Sequence, residues 1–204
     1  DSVASRGLGD VYKRQGYIGT ELAEAFKRLG KESTLIEHGD TVLRSYYDDK
    51  FCKKMEDNLR DHGVNLVFNE EVVKLEGTDG KVNKVITDKG EYDCDMVIMS
   101  IGFKPNSSLA KDHLKLNDKK AIITDKHQQT SDENVFAVGD STVIFNNATG
   151  KFEYVALATN AVRSGIVAGH NVCGTKLESN GVQGSNGIKI YDLCMVSTGL
   201  TVRN

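Results

Sequence analysis

Apolar residues first take up a helical period around Gly19. Ile18, Leu22, Phe26 and Leu29 share one face, Glu21, Glu24, Lys27 and Arg28 lie on others, and Gly30 follows as a stop. The pattern then switches to a short β-rich run, Ser33-Thr34-Leu35-Ile36, which ends in Glu37. A second amphipathic helix is predicted from about Asp48 to His62, with Phe51, Met55 and Leu59 turned inward, and Leu66 to Phe68 is the next strand. From Glu71 to Ile101 the alternation reads as a meander: Val72 to Leu75, the turn Thr78-Asp79-Gly80-Lys81, Val82 to Thr87, the turn Asp88-Lys89-Gly90, then Met96-Val97-Ile98-Met99-Ser100-Ile101. That last run is apolar enough for a buried parallel strand. Gly102-Phe103-Lys104-Pro105-Asn106 holds the chain's one proline and reads as a hinge. Strands are predicted at Ala121 to Thr124 and Val135 to Val138, a third helix at about Ala156 to Cys173, and a final strand-like run at Ile188 to Leu193, after a Gly, Ser and Asn-rich connection.

The first fifteen residues, DSVASRGLGDVYKRQ, follow neither period. A strand feeding a phosphate-binding turn is central and almost wholly apolar, whereas Lys13 and Arg14 would cost several kcal/mol to bury unpaired. Residues 1–15 are therefore expected to be foreign to the protein.

Composition narrows the function. The 204 residues carry a net charge of −3 without a sustained basic block, which argues against nucleic acid or an anionic membrane as partner. No apolar run is long enough to span a bilayer and no secretory signal opens the chain, so a cytoplasmic location is expected. Cys52, Cys94, Cys173 and Cys194 form no CxxC pair and have no histidine at ligand spacing, so no metal is expected and the four read as reduced, largely buried small hydrophobes.

Candidate chemistry begins at Gly16-Tyr17-Ile18-Gly19. Glycines at the start of a helix let a pyrophosphate approach backbone N–H groups at the positive end of the helix dipole, although a tight turn opening a helix reads the same way. Arg14 is a poor fit where a dinucleotide fingerprint has its first glycine. Glu37 lies 18 positions beyond Gly19 at a strand end, where a carboxylate accepts from ribose hydroxyls and repels a 2′-phosphate. NAD(H) is thereby favoured over NADP(H).

The ordered series GYIGTELAEAFKRLGK, IGFKPN, VFAVGD, YVALATNAVRSGIVAGHNVCG and GVQGSNGIKIYDLCMVSTGL resembles the flavin-dependent NADH oxidase, NADH peroxidase and CoA-disulfide reductase group of the pyridine nucleotide-disulfide oxidoreductases, the water-forming NADH oxidases most of all. The resemblance covers Gly16 to Asn204. It implies a truncated α/β protein: a Rossmann-like NAD(H)-binding domain with a β-meander at 16–101, the second part of an FAD-binding α/β domain at 102–187, and the start of a dimerisation domain at 188–204. The family's first FAD-binding half, with its redox cysteine, is not among these residues, so no catalytic residue is expected in this chain.

Residue roles follow from the same resemblance. Gly16, Tyr17, Ile18 and Gly19 would hold NAD(H), with Tyr17 matching a tyrosine that lies over the flavin and moves when the nicotinamide enters. Glu37 matches the ribose-binding acid. Tyr46 matches a tyrosine near the NADH site, with Tyr47 an open alternative, and Ile101-Gly102 match a strand end bordering the nicotinamide. Gly139 and Asp140 match the turn whose aspartate bonds the flavin ribitol, and Ala156, Leu157 and Ala158 match the helix start aimed at the flavin pyrimidine edge. The implied reaction passes hydride from NADH to FAD and electrons on to oxygen or peroxide, in a homodimer or higher homo-oligomer. The chain alone is then expected to be inactive and to expose unpaired sheet edges. A non-catalytic NAD(H)-binding module would keep the glycine turn and Glu37 but leave Gly139-Asp140 and the Ala156 helix without a task.

Overall fold

The computed structural model describes residues 16–202, so the readings placed on residues 1–15, Arg14 among them, and on the last two residues fall outside it. The described residues divide into two compact units, one of residues 16–102 with Gly187–Val196, the other of Phe103–Asn186 with residues 197–202.

In the first unit, α1 (Tyr17–Arg28) leads to β1 (Thr34–Glu37), α2 (Asp49–Asp61) and β2 (Asn65–Phe68). β1 and β2 pair in parallel, from Thr34 opposite Asn65 to Glu37 opposite Phe68, and the connection carrying α2 supplies the crossover that parallel pairing requires. The buried face of α1 differs from the expected one. Thr20 and Ala23, three apart on one stripe, are buried, while Ile18 and Leu29 are exposed. Small side chains are the ones that let a helix lie close to its neighbours. On α2, Met55 and Leu59 are fully buried as expected, but Cys52 takes the inward position next to them and Phe51 is exposed. Burying each of these long side chains is worth about 1.5–3 kcal/mol.

A buried acid sits among them. Glu56 accepts from the Thr41 hydroxyl at 2.5 Å and from Arg60 at 3.1 Å, so its charge is held by partners. β3 (Val72–Thr78) and β4 (Lys81–Thr87) then form the expected antiparallel pair, turning at Asp79-Gly80, but the meander's third strand is β5 (Glu91–Asp93), a segment not expected to be one.

The run Met96 to Ile101 is a correction. It is no strand, and Met96, Ile98, Met99 and Ile101 are each between 44% and 57% exposed. A strand is defined by hydrogen bonds to a neighbour, and none of the described residues pairs with this run.

At the far end of the chain, β8 (Asn186–Ile190) and β9 (Leu193–Ser197), numbered after the two strands of the second unit, make a two-stranded sheet. Ile188, Ile190, Tyr191 and Met195 join the first unit's core, with Met55 and Leu59. The Asn58 amide donates to the Ile190 carbonyl at 2.9 Å, and Glu24 accepts from the Tyr191 N–H at 2.7 Å.

The second unit is sparser. β6 (Ile144–Asn146) and β7 (Lys151–Glu153) form an antiparallel hairpin, followed by α3 (Ala158–Val172). The strands expected at 121–124 and 135–138 reduce to single bridges, Ile122 with Leu116 and Thr142, and Phe136 with Gln129. One paired residue satisfies too little backbone to propagate a ladder. Buried apolar packing centres on Ala121, Val143 and Tyr154. Side-chain-to-backbone bonds supplement it: the Asn171 amide nitrogen lies within hydrogen-bond distance of the carbonyls of His127, Val167 and Leu177, and its two hydrogens are shared among them.

The cysteines also depart from expectation. All four are free thiols, but only Cys52 is buried; Cys94 is intermediate, and Cys173 and Cys194 are exposed.

Candidate functional site

The candidate NAD(H) residues gather in the first unit. Gly16 is the N-cap of α1 in extended conformation, with no side chain capping the helix and no acid in its first turn. An uncapped helix start presents N–H groups and positive potential, the two things a phosphate needs. Gly19 stands two residues into the helix. A Cβ there would meet the Ser100 hydroxyl oxygen at 2.7 Å, so the missing side chain lets α1 lie close against the run that ends at Ile101-Gly102. This contact brings two separately predicted pieces of the site together.

Tyr17 follows the cap and is half-buried. Its hydroxyl donates to the Tyr47 hydroxyl at 3.2 Å, and its ring centroid lies 4.4 Å from that of Tyr46. Tyr46 and Tyr47 make two different contacts with the same ring. Tyr46 is partly exposed and packs against Tyr17; Tyr47 is buried and hydrogen-bonds it. Tyr47 in turn donates to the Met195 carbonyl at 3.1 Å. Burial, reinforced by the bond to Tyr47, pushes the Tyr17 hydroxyl well above its ordinary range, and burial raises Tyr47 as well.

Glu37 ends β1 as predicted, and its carboxylate accepts from the Gly39 N–H at 3.1 Å, which orients it at the strand end. Ile18, Ile101 and Gly102 are all exposed.

The candidate FAD residues lie in the second unit. Gly139 begins a short 3₁₀ turn with φ +74°, a left-handed conformation that costs a side-chain-bearing residue roughly 1–2 kcal/mol. Its N–H donates to Ser164 on α3 at 3.1 Å, and Ser164 donates to the Ala161 carbonyl, which fixes the turn against the helix. Asp140 is exposed beside it. α3 itself starts one residue after Leu157, with no side-chain cap, so Ala156 and Leu157 lead into the helix and Ala158 is its first residue. The Asn160 amide donates back to the Val155 carbonyl at 3.1 Å and steadies this entry.

Sequence reasoning passed over Ser100, Ser164 and the Met195 carbonyl. It also passed over a cleft of about 300 Å³ bordered by Thr159, Asn160, Arg163 and residues 181–185. A signal for Ser164 was present: Asn160 and Ser164, one turn apart, form a buried polar pair in a helix read as small and apolar. Among the described residues no group of three His, Cys, Asp or Glu side chains is placed to hold a metal, and no helix is long and apolar enough to cross a membrane.

The arrangement offers two uncapped helix starts, each beside a glycine, with Glu37 at a strand end and Asp140 on a turn. These are donor and acceptor sets suited to nucleotide cofactors. The family model described as pyridine nucleotide-disulphide oxidoreductase matches residues 15–165. An NADH oxidase of Streptococcus pyogenes serotype M6 is 54% identical over 187 residues, covering 92% of this chain and 41% of its own. A CoA-dependent NAD(P)H sulfur oxidoreductase of Pyrococcus furiosus is 43% identical, covering 91% and 42%. The water-forming NADH oxidase of Lactobacillus brevis, solved with NADH bound, superposes with a TM-score of 0.88 at 40% identity, covering 93% of this chain and 42% of that one. The chain thus spans about two fifths of the length of the relatives it matches, and it belongs to the pyridine nucleotide-disulphide oxidoreductases.

Proposed function

We propose that this chain is the NAD(H)-binding part, with the returning portion of the FAD-binding part, of a water-forming NADH oxidase. The uncapped start of α1, with Gly19 close against Ser100, is the observation that carries the reading. It gives a pyrophosphate N–H donors with no side chain in the way.

The residues fit both cofactors. Gly16 to Gly19 would hold the NAD(H) pyrophosphate, and Glu37 would accept from the adenosine ribose. Tyr17, Tyr46, Ile101 and Gly102 would border the nicotinamide. Gly139, Asp140 and the α3 entry from Ala156 to Ala158 would serve FAD, Asp140 as an acceptor from the ribitol. When bound, FAD supplies the two-electron chemistry that takes hydride from NADH and delivers electrons to oxygen. This chain's own contribution is binding and orientation: Glu37 selects the cofactor, and the positive end of α3 favours negative charge near it. None of the four cysteines is assigned a redox role. Cys52 is buried, and that burial raises its thiol above the ordinary range, which suppresses the reactive thiolate.

The Pyrococcus furiosus relative matches over a similar length of this chain, which supports a second reading as a CoA-dependent sulfur or disulfide reductase. On either reading the pyridine-nucleotide site is the same and the acceptor differs.

Calorimetric titration with NADH and NADPH tests the site. NADH should bind more tightly than NADPH, and Glu37→Ala should weaken NADH by about tenfold while narrowing the gap to NADPH, as expected for losing a charged hydrogen bond worth about 1.5–3 kcal/mol. Equal binding of both nucleotides, unchanged in the variant, would rule the assignment out.

A further inference from the structure

We propose that Tyr47 is a positioning residue for the nicotinamide end of the site, acting as the anchor that holds Tyr17 in its resting place. The inference rests on the reading of Tyr17 as a nicotinamide-site residue and deepens it.

The order of the hydrogen bonds is forced. A backbone carbonyl only accepts, so the Tyr47 proton goes to Met195, and the Tyr47 oxygen is left to receive the proton of Tyr17. Tyr47 is 3% exposed and tied to the backbone of β9, so it cannot follow Tyr17 if that ring moves. Tyr17 is only half-buried and sits at the uncapped start of α1, the end at which the pyrophosphate is placed. Tyr46 supplies a ring contact at 4.4 Å that has no such directionality and can adjust by sliding. Displacing Tyr17 therefore breaks the directional bond to Tyr47, whose other end is fixed. A ligand that needs the space of the Tyr17 ring meets a resting state favoured by that bond, and its apparent affinity is lowered accordingly. A ligand that reaches only the ribose acceptor Glu37 meets no such penalty.

NADH and ADP-ribose separate the two cases, since ADP-ribose lacks the nicotinamide. On the full 204-residue chain, Tyr47→Phe keeps the buried ring and removes the hydroxyl. Calorimetry is expected to show NADH binding tightened by about threefold to tenfold, the range of one net hydrogen bond, with ADP-ribose unchanged. Tyr17→Phe, which alters a half-buried position and so spares the core, should give the same change, and the double variant should add nothing further. A merely structural role for Tyr47 would weaken NADH, or shift both ligands alike. Either result, or no change in either ligand, overturns the inference while leaving the site assignment intact. If the unaltered chain binds neither ligand, or Glu37→Ala leaves ADP-ribose affinity untouched, the assignment itself fails and the inference falls with it.

Discussion

The two units hold themselves together in different ways. The first has a connected apolar core that runs from Ala23 through Met55 and Leu59 to Ile190 and Met195. The second has a small cluster at Ala121, Val143 and Tyr154, and relies on residues such as Asn171, Thr124 and Ser164 to tie loops to backbone. Burial is cumulative and tolerant of direction, whereas a side-chain-to-backbone bond holds one geometry. The first unit is thus built for cohesion, and the second for holding particular turns, the Gly139 turn above all.

Truncation of a core side chain is the strongest way to break this contrast. Leu59→Ala should cost about 2–5 kcal/mol in the first unit, while Val143→Ala should cost about 2 kcal/mol in the second, by the lost methyl groups alone. Hydrogen exchange reads the two units separately; equal losses would show that the small cluster matters as much as the large one. Next in size is Gly139→Ala, expected to cost roughly 1–2 kcal/mol through the left-handed backbone and to speed exchange around residues 139–142 and 161–164, with the first unit unaffected.

The smallest effect is alkaline. Tyr17, Tyr47 and Cys52 all have raised values in the folded state, so their neutral forms are favoured there. Stability from this source is complete below the ordinary values near 9 for the thiol and 10 for the phenols, and is lost as pH rises beyond them toward the folded values. Denaturant midpoints should therefore fall above about pH 9–10, and the exchange should quicken first in the first unit. Protection gained at high pH would contradict the assignment of these shifts to burial.

Much of the first unit was legible in the sequence because its signals are local. α2 shows its period within one window, and the Asp79-Gly80 turn carries its own chemistry. The errors arose where neighbours decide. Phe51 and Cys52 are adjacent, and only packing shows which of them turns inward. Met96 to Ile101 has the composition of a buried strand, yet composition cannot supply a pairing partner. Ile18 and Leu29 fit a helical stripe that the structure replaces with the smaller Thr20 and Ala23.

The candidate site divides along the same line. Gly16 to Gly19 and Glu37 were proposed from motif and spacing, and Gly139-Asp140 from the family resemblance. The contact of Gly19 with Ser100 and the bond of Tyr17 to Tyr47 join residues 81 and 30 positions apart, a distance over which no periodicity operates. Tyr46 and Tyr47 could not be told apart by position. Their contacts separate only by direction, one ring facing a ring and one hydroxyl facing a hydroxyl.

The hairpin of β8 and β9 also fixes an order of events in time. Tyr47 meets Met195 across 148 residues, and Asn58 meets Ile190 across 132. During synthesis the first unit must wait, with Met55 and Leu59 only partly covered, until Ile190 and Met195 have emerged. Contacts of such long sequence separation also slow folding, since their loops close before the contacts repay them. The first unit would thus complete its core only after Phe103–Asn186, which lie between its two pieces, have been made.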